Sequence, residues 1–154
     1  MQKIYPYLWF DKNLKEIISY YQSIFPDMEV TMNQTLSGSP SGDVESALMT
    51  IKGQKFGLMA AGPMFKFTEA ISLVINCDTQ EEIDYYWEKL STVPESEQCG
   101  WCKDKYGLSW QICPTEMEQM MITGTKEQVA RLAEAFMPMK KLDMAVLRDA
   151  FEGK

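Results

Sequence analysis

Apolar and polar positions change their period along the chain, and each change marks an element. Residues 4–10 form a short apolar and aromatic run of strand formers. Leu14, Ile17, Ile18, Tyr21 and Phe25 then recur at helical spacing until Pro26 stops the helix. Met28, Val30 and Met32 alternate, so 28–36 predicts a strand, and the Ser-Gly-Ser-Pro-Ser-Gly run at 37–42 predicts a hairpin loop. Two more strands are expected at 44–51 and 55–61, around a tight turn at Lys52-Gly53-Gln54.

The same order of elements then restarts. Residues 70–76 predict an apolar strand, and Thr79 with Glu82 has the spacing of a capping box. Ile83, Tyr86, Trp87 and Leu90 make one face of the helix behind it. Residues 98–103 and 108–113 predict strands around a turn at 104–107, with room for a short extra strand near 93–98. A helical tail follows. Thr115 with Glu118 and Thr125 with Gln128 mark two helix starts, and 142–150 suits a last helix after Pro138. The expected class is α+β, with β-α-β-β-β at about 2–62, β-α-β-β at about 68–114 and the tail at about 115–152. All of these belong to one domain spanning 1–154.

Composition narrows the partners. Hydrophobic residues make up 45% of the 154 and charged residues 24%, as in an ordinary globular chain. The net charge is -7, which argues against nucleic acid and anionic membrane surfaces. No apolar run approaches the length of a membrane span. The N-terminal segment does not read as a signal peptide, and four cysteines are too few for a disulfide scaffold, so a cytoplasmic protein with thiols is expected. Histidine is absent, which removes Ser-His-Asp and Cys-His catalysis and every imidazole-dependent metal site.

The segments LWFD (8–11), YYQSIFP (20–26), GQKFG (53–57), GPMFKFTEAIS (62–72), DYYWEKLS (84–91) and QCGWCKDKYGLSWQICP (98–114) resemble the PhnB-like family. That family lies in the glyoxalase, bleomycin-resistance and dioxygenase superfamily, and its members often carry the label 3-demethylubiquinone-9 3-methyltransferase. The resemblance implies the vicinal oxygen chelate fold, in which two tandem βαβββ-type modules form a cupped mixed sheet. It also implies a homodimer, for which the Met-rich tail (Met117, Met120, Met121, Met137, Met139) offers adaptable apolar surface.

Metal-using relatives place their ligands at four strand positions. Here these fall on Tyr5, on Gly57 or Met59, on Ala70, and on Gln111 in an Asp104-x-x-Gly107-x-x-x-Gln111 match where relatives keep Glu. These side chains cannot hold a divalent ion as imidazole and carboxylate do, so neither a metal nor another cofactor is expected. With Ile4, Leu8 and Phe10 toward the helix, the cavity side carries Tyr5, Tyr7 and Trp9, joined by Met59, Ser72, Ser109 and Gln111. Such a cavity suits a small, largely apolar organic molecule, although the same side chains would also fill it without a ligand.

Three readings stay open: a metal-free cavity protein, an enzyme of the family (nominally the methyltransferase), and an interaction protein with a vestigial cavity. Methyl transfer would need a cofactor loop, but the glycines at 38 and 42 lie in a hairpin. Cys99-Gly-Trp-Cys102 has redox-dithiol spacing. Read as a strand, however, it points the two thiols to opposite faces. Phe65 and Phe67, between the modules, suit either a cover over the cavity or a dimer seam.

Overall fold

In the computed structural model, residues 2–154 are described. The chain divides into two compact units, Met1–Lys66 and Phe67–Lys154. The first unit runs β1 (Tyr7–Phe10), α1 (Leu14–Ile24), β2 (Glu29–Ser39), β3 (Gly42–Ile51) and β4 (Gln54–Ala60). Its sheet has the order β1-β4-β3-β2, with β1 parallel to β4 and the other pairs antiparallel. Leu14, Ile17, Ile18, Tyr21 and Ile24 form the buried stripe of α1. The stripe meets Leu8 and Phe10 of β1, Ala47 and Met49 of β3 and Phe56 and Leu58 of β4 in the core of the unit. Burying each large apolar side chain of this kind contributes roughly 1.5–3 kcal/mol.

The second unit repeats that plan with one strand fewer. It runs β5 (Ser72–Cys77), α2 (Gln80–Leu90), a 3₁₀ turn at Pro94–Ser96, β6 (Trp101–Lys103) and β7 (Ser109–Pro114). The sheet order is β5-β7-β6, with β5 parallel to β7 and β6 antiparallel to it. In both units, then, the first strand pairs in parallel with the last, and a helix makes the crossover. The tail is α3 (Thr115–Thr123), α4 (Lys126–Phe136) and α5 (Met144–Glu152). It builds a core of its own from Leu132, Leu142 and Leu147.

Several expectations are corrected. The extra strand near 93–98 is absent. Pro94 leads a 3₁₀ turn there, because proline suits a first helical position and cannot donate to a ladder. Ile4 lies before β1 and is 91% exposed, so the inward phase begins only at Leu8. The loop at 37–42 shrinks to Pro40 and Ser41, since β2 runs on to Ser39 and β3 starts at Gly42. Ala70 precedes β5.

The segment 98–103 is not a continuous strand. Cys99 and Gly100 both have positive φ (40° and 88°), the signature of a two-residue hairpin turn, and Gln98 bridges Trp101 across it. The capping box at Thr79 forms as expected, and the helix start expected at Thr125 forms with a capping box of its own. Thr115 does not cap, because Pro114 holds that position while the Thr115 hydroxyl donates to Asp78 Oδ1 at 2.7 Å.

Candidate functional site

In the first unit the strand phase sends Tyr7 and Trp9 to the side of the sheet opposite Leu8 and Phe10. The register sets Tyr7 against Gly57 and Trp9 against Met59, and β3 adds Ser46 beside Met59. Tyr7 lies directly over Gly57, where a Cβ would come 2.2 Å from the Tyr7 ring. Its hydroxyl is 2.8 Å from the Oγ of Ser46, which is almost fully buried. Trp9 Nε1 donates to the Gly62 carbonyl at 2.8 Å, and the edge of Phe65 meets the Trp9 ring at 5.0 Å. The result is an aromatic surface with fixed polar points, and Phe65 packs on it. Tyr5 precedes β1, and the Lys55 ammonium stands 4.1 Å from its ring centroid, a cation–π contact.

In the second unit Ser72, Ser109 and Gln111 share one face. Ser72 is in register with Ser109, and Val74 with Gln111. Gln111 Nε2 donates to Ser72 Oγ at 2.8 Å. Ser109 is 1% exposed, and its Oγ has no hydrogen-bond partner among the described residues. The motif leading into β7 has a structural part. Asp104 is fully buried; its Oδ1 accepts from the backbone N–H of Tyr106 (2.9 Å) and Leu108 (3.2 Å), and its Oδ2 from Trp110 Nε1 (2.9 Å). Gly107, at φ 82°, completes the turn. Asp104 therefore sets the start of β7, which fixes the face that Gln111 takes.

Among the described residues, sequence reasoning missed Ser46, Lys55 and the Gly62 carbonyl. Each meets its aromatic partner 39 to 53 positions away or across a strand pair, so no local pattern marks it. The thiol pKa values all lie above the ordinary cysteine value. Burial is the first cause in every case, and it pushes Cys77 and Cys102 up to about 12, Cys113 up to about 11, and Cys99 upward as well. Acidic neighbours add to this: Glu82 at Cys77, Asp104 at Cys102 and Glu118 at Cys113.

Two sheets of β-α-β-β type, each closing its first strand in parallel on its last, give the chain a fold similar to that of the glyoxalase-type vicinal oxygen chelate proteins. More narrowly, it belongs to the family described as 3-demethylubiquinone-9 3-methyltransferase, whose model it matches over residues 2–113. It is similar to the PhnB protein of Bacillus cereus, with 32% identity and a TM-score of 0.58, over 72% of this chain and 98% of that one. Protein PA1353 of Pseudomonas aeruginosa shares the fold at 20% identity and a TM-score of 0.53, over 74% and 98% of the two chains. So does a variant of the fosfomycin resistance protein FosX of Listeria monocytogenes, complexed with Mn(II) and a dihydroxypropylphosphonic acid. Its identity is 16% and its TM-score 0.53, over 78% and 98%. No curated protein matches the chain.

The strand positions read in the sequence as metal-ligand positions carry no imidazole or carboxylate here. Tyr5 carries a lysine ammonium over its ring, and the space beside Gly57 is taken by Tyr7. Met59 is a thioether, Ala70 has no donor, and Gln111 spends an amide N–H on Ser72. Among the described residues no group of three or more Cys, Asp or Glu side chains is placed to hold an ion.

Proposed function

We propose that the chain is a metal-free PhnB-like binding protein for a small, largely apolar organic molecule, and that it works as a homodimer. One observation carries the reading: in the first unit, Tyr7 lies over Gly57 with its hydroxyl on Ser46. A position that metal-using relatives give to an ion ligand is thereby turned into a neutral aromatic surface. Trp9 and Met59 extend that surface, and pockets of this character favour apolar ligands oriented by a few hydrogen bonds. Ser72, Ser109 and Gln111 offer hydroxyl and amide groups of matching chemistry on the sheet of the second unit, where Gln111 can donate and accept without charge. The second copy would cover exposed apolar side chains, among them Ile71, Val74, Met121 and Ile122.

A methyltransferase reading finds no support at the glycines. Gly38 and Gly42 flank a β-hairpin tip rather than a strand-to-helix turn. The test is NMR titration of the protein with phenol, a neutral aromatic probe. Saturable shifts of the Tyr7 and Trp9 ring resonances are expected. Shifts that never saturate, or that map elsewhere, would overturn the binding role, and a stoichiometric metal found by elemental analysis would overturn the metal-free one.

A further inference from the structure

We propose that Lys103 and Ser109, on the second sheet, bind the carboxylate of a small organic acid, and that Glu69 lends them its own carboxylate until such a ligand displaces it. The site lies within the second unit and does not depend on the Tyr7 surface of the first. Lys103, in β6, faces Ser109, in β7, in register. On one side of that pair the Asp104 N–H donates to the Leu108 carbonyl at 3.0 Å. Hydrogen-bonded and non-hydrogen-bonded pairs alternate along an antiparallel ladder, so Lys103 and Ser109 form a non-hydrogen-bonded pair, the kind whose side chains stand closer. The backbone of Lys103 agrees, since it bonds away from β7. Its N–H donates to Ser96 Oγ at 3.0 Å, and its carbonyl accepts from the Thr92 N–H at 3.0 Å. The strand is held on both edges, with the Lys103 side chain on the face opposite Cys102 and Trp110.

Ser72 is in register with Ser109, so one row on this face runs Ser72, Ser109, Lys103. The next row runs Val74, Gln111, Trp101. The first row carries two hydroxyls and an ammonium, and the second sets apolar side chains on either side of an amide. Ser72 Oγ accepts from Gln111 Nε2. The Ser109 hydroxyl differs: the residue is 1% exposed, and no described residue partners its Oγ. Native structures rarely leave such a buried group unused.

Glu69 shows what the ammonium takes. Its carboxylate pairs with Lys103 Nζ, and that bond holds the Glu69 carboxyl below its ordinary pKa. The Lys103 side chain is 24% exposed and that of Glu69 64%. The cation is therefore built into the sheet, while its anion reaches it from the solvent side, from the segment just before β5. Exposed ion pairs contribute little. A free carboxylate that also accepts from the Ser109 hydroxyl gains a bond that Glu69 does not make, and can replace it. One ammonium and one neutral donor suit a monoanion rather than a phosphate dianion. Val74 and Trp101 would flank an apolar body attached to that carboxylate.

The experiment is NMR titration of the full chain with benzoate and with its neutral counterpart, benzyl alcohol. Benzoate should give saturable shifts at the amides of Glu69, Lys103 and Ser109, and bind there about tenfold more tightly than the alcohol. Lys103→Met keeps the stem, removes the charge and should abolish that preference. Ser109→Ala should weaken benzoate about fivefold. Glu69→Ala removes the internal competitor from an exposed position, so benzoate should bind about twofold to fivefold more tightly, a gain that misfolding cannot produce. Equal affinity for the two probes, a preference for benzoate that survives Lys103→Met, or no gain in Glu69→Ala would overturn the proposal. Saturable phenol shifts at Tyr7 and Trp9 in the same samples would confine that failure to the second unit.

Discussion

Tyr7 rests where a side chain at residue 57 would have to stand: a Cβ there would meet ring carbon Cδ2 at 2.2 Å. Gly57→Ala should therefore displace the ring and break the contact between the Tyr7 hydroxyl and Ser46. Overpacking of this kind costs about 1–3 kcal/mol, and urea unfolding should show it as a lower midpoint with an unchanged slope. Tyr7→Ala made on top of Gly57→Ala should cost less than the two singles added, because the clash vanishes with the ring.

Tyr7→Phe isolates the hydrogen bond. It removes the hydroxyl while keeping the ring over Gly57, and leaves the buried Ser46 Oγ without that partner. A loss of about 1 kcal/mol is expected in the same unfolding assay, together with weaker phenol binding.

Asp104 is held by three donors inside the second unit. Asp104→Ala leaves the Trp110 indole N–H and two backbone N–H groups to find other partners in a buried setting. The expected destabilisation is about 3 kcal/mol or more, measured by thermal or urea unfolding. Trp110 fluorescence should shift to the red in the native state as water reaches the ring.

The buried thiols set a stability limit on the alkaline side. Folding raises Cys77 from 9.0 to about 12, Cys102 from 9.0 to about 12 and Cys113 from 9.0 to about 11. Below pH 9 the thiols keep their protons in both states, and their contribution is flat. From pH 9 to about 11–12 the unfolded chain loses protons that the native one keeps, so stability falls as pH rises, by up to roughly 1.4 kcal/mol per thiol per pH unit. Unfolding at pH 8, 9 and 10 should show that decline, and Cys102→Ala should lessen it. An equal slope in that variant would count against the assignment.

Gln111→Glu places a carboxylate on a face where an amide now bonds Ser72. Partial burial should raise the pKa of that carboxylate, and a neutral ligand should bind about tenfold more weakly at neutral pH, a difference of about 1.4 kcal/mol. Titrations at pH 5 and 8 should show the loss shrinking as the carboxyl gains its proton.

Elements governed by four or five neighbouring residues were legible in the sequence. The Thr79 and Thr125 capping boxes are local contacts, and both form. The stripe of α1 and the phase of Tyr7 and Trp9 follow from periodicity alone. Thr115 has the same T-x-x-E spacing and fails as a cap, because Asp78, far away in sequence, claims its hydroxyl. The turn at Cys99 was hidden because a cysteine in the left-handed region is not a turn signal, and only Gly100 hinted at it. Ser46 and Lys55 were invisible as site residues because strand register alone brings them to Tyr7 and Tyr5.

The family model stops at Cys113, yet the second unit draws on what comes after it. Gln80, in the first turn of α2, donates to the Leu142 carbonyl and accepts from the Met144 N–H, and Asp84 pairs with Lys141. A chain leaving the ribosome N-terminus first has all of the first unit in hand once residue 66 is out. Its second unit must wait for residues 139–144 to be made, with the N–H groups of Cys99 and Gly100 unmatched until then. A nascent chain stalled after β7 should accordingly present a protected first unit and a protease-sensitive second one.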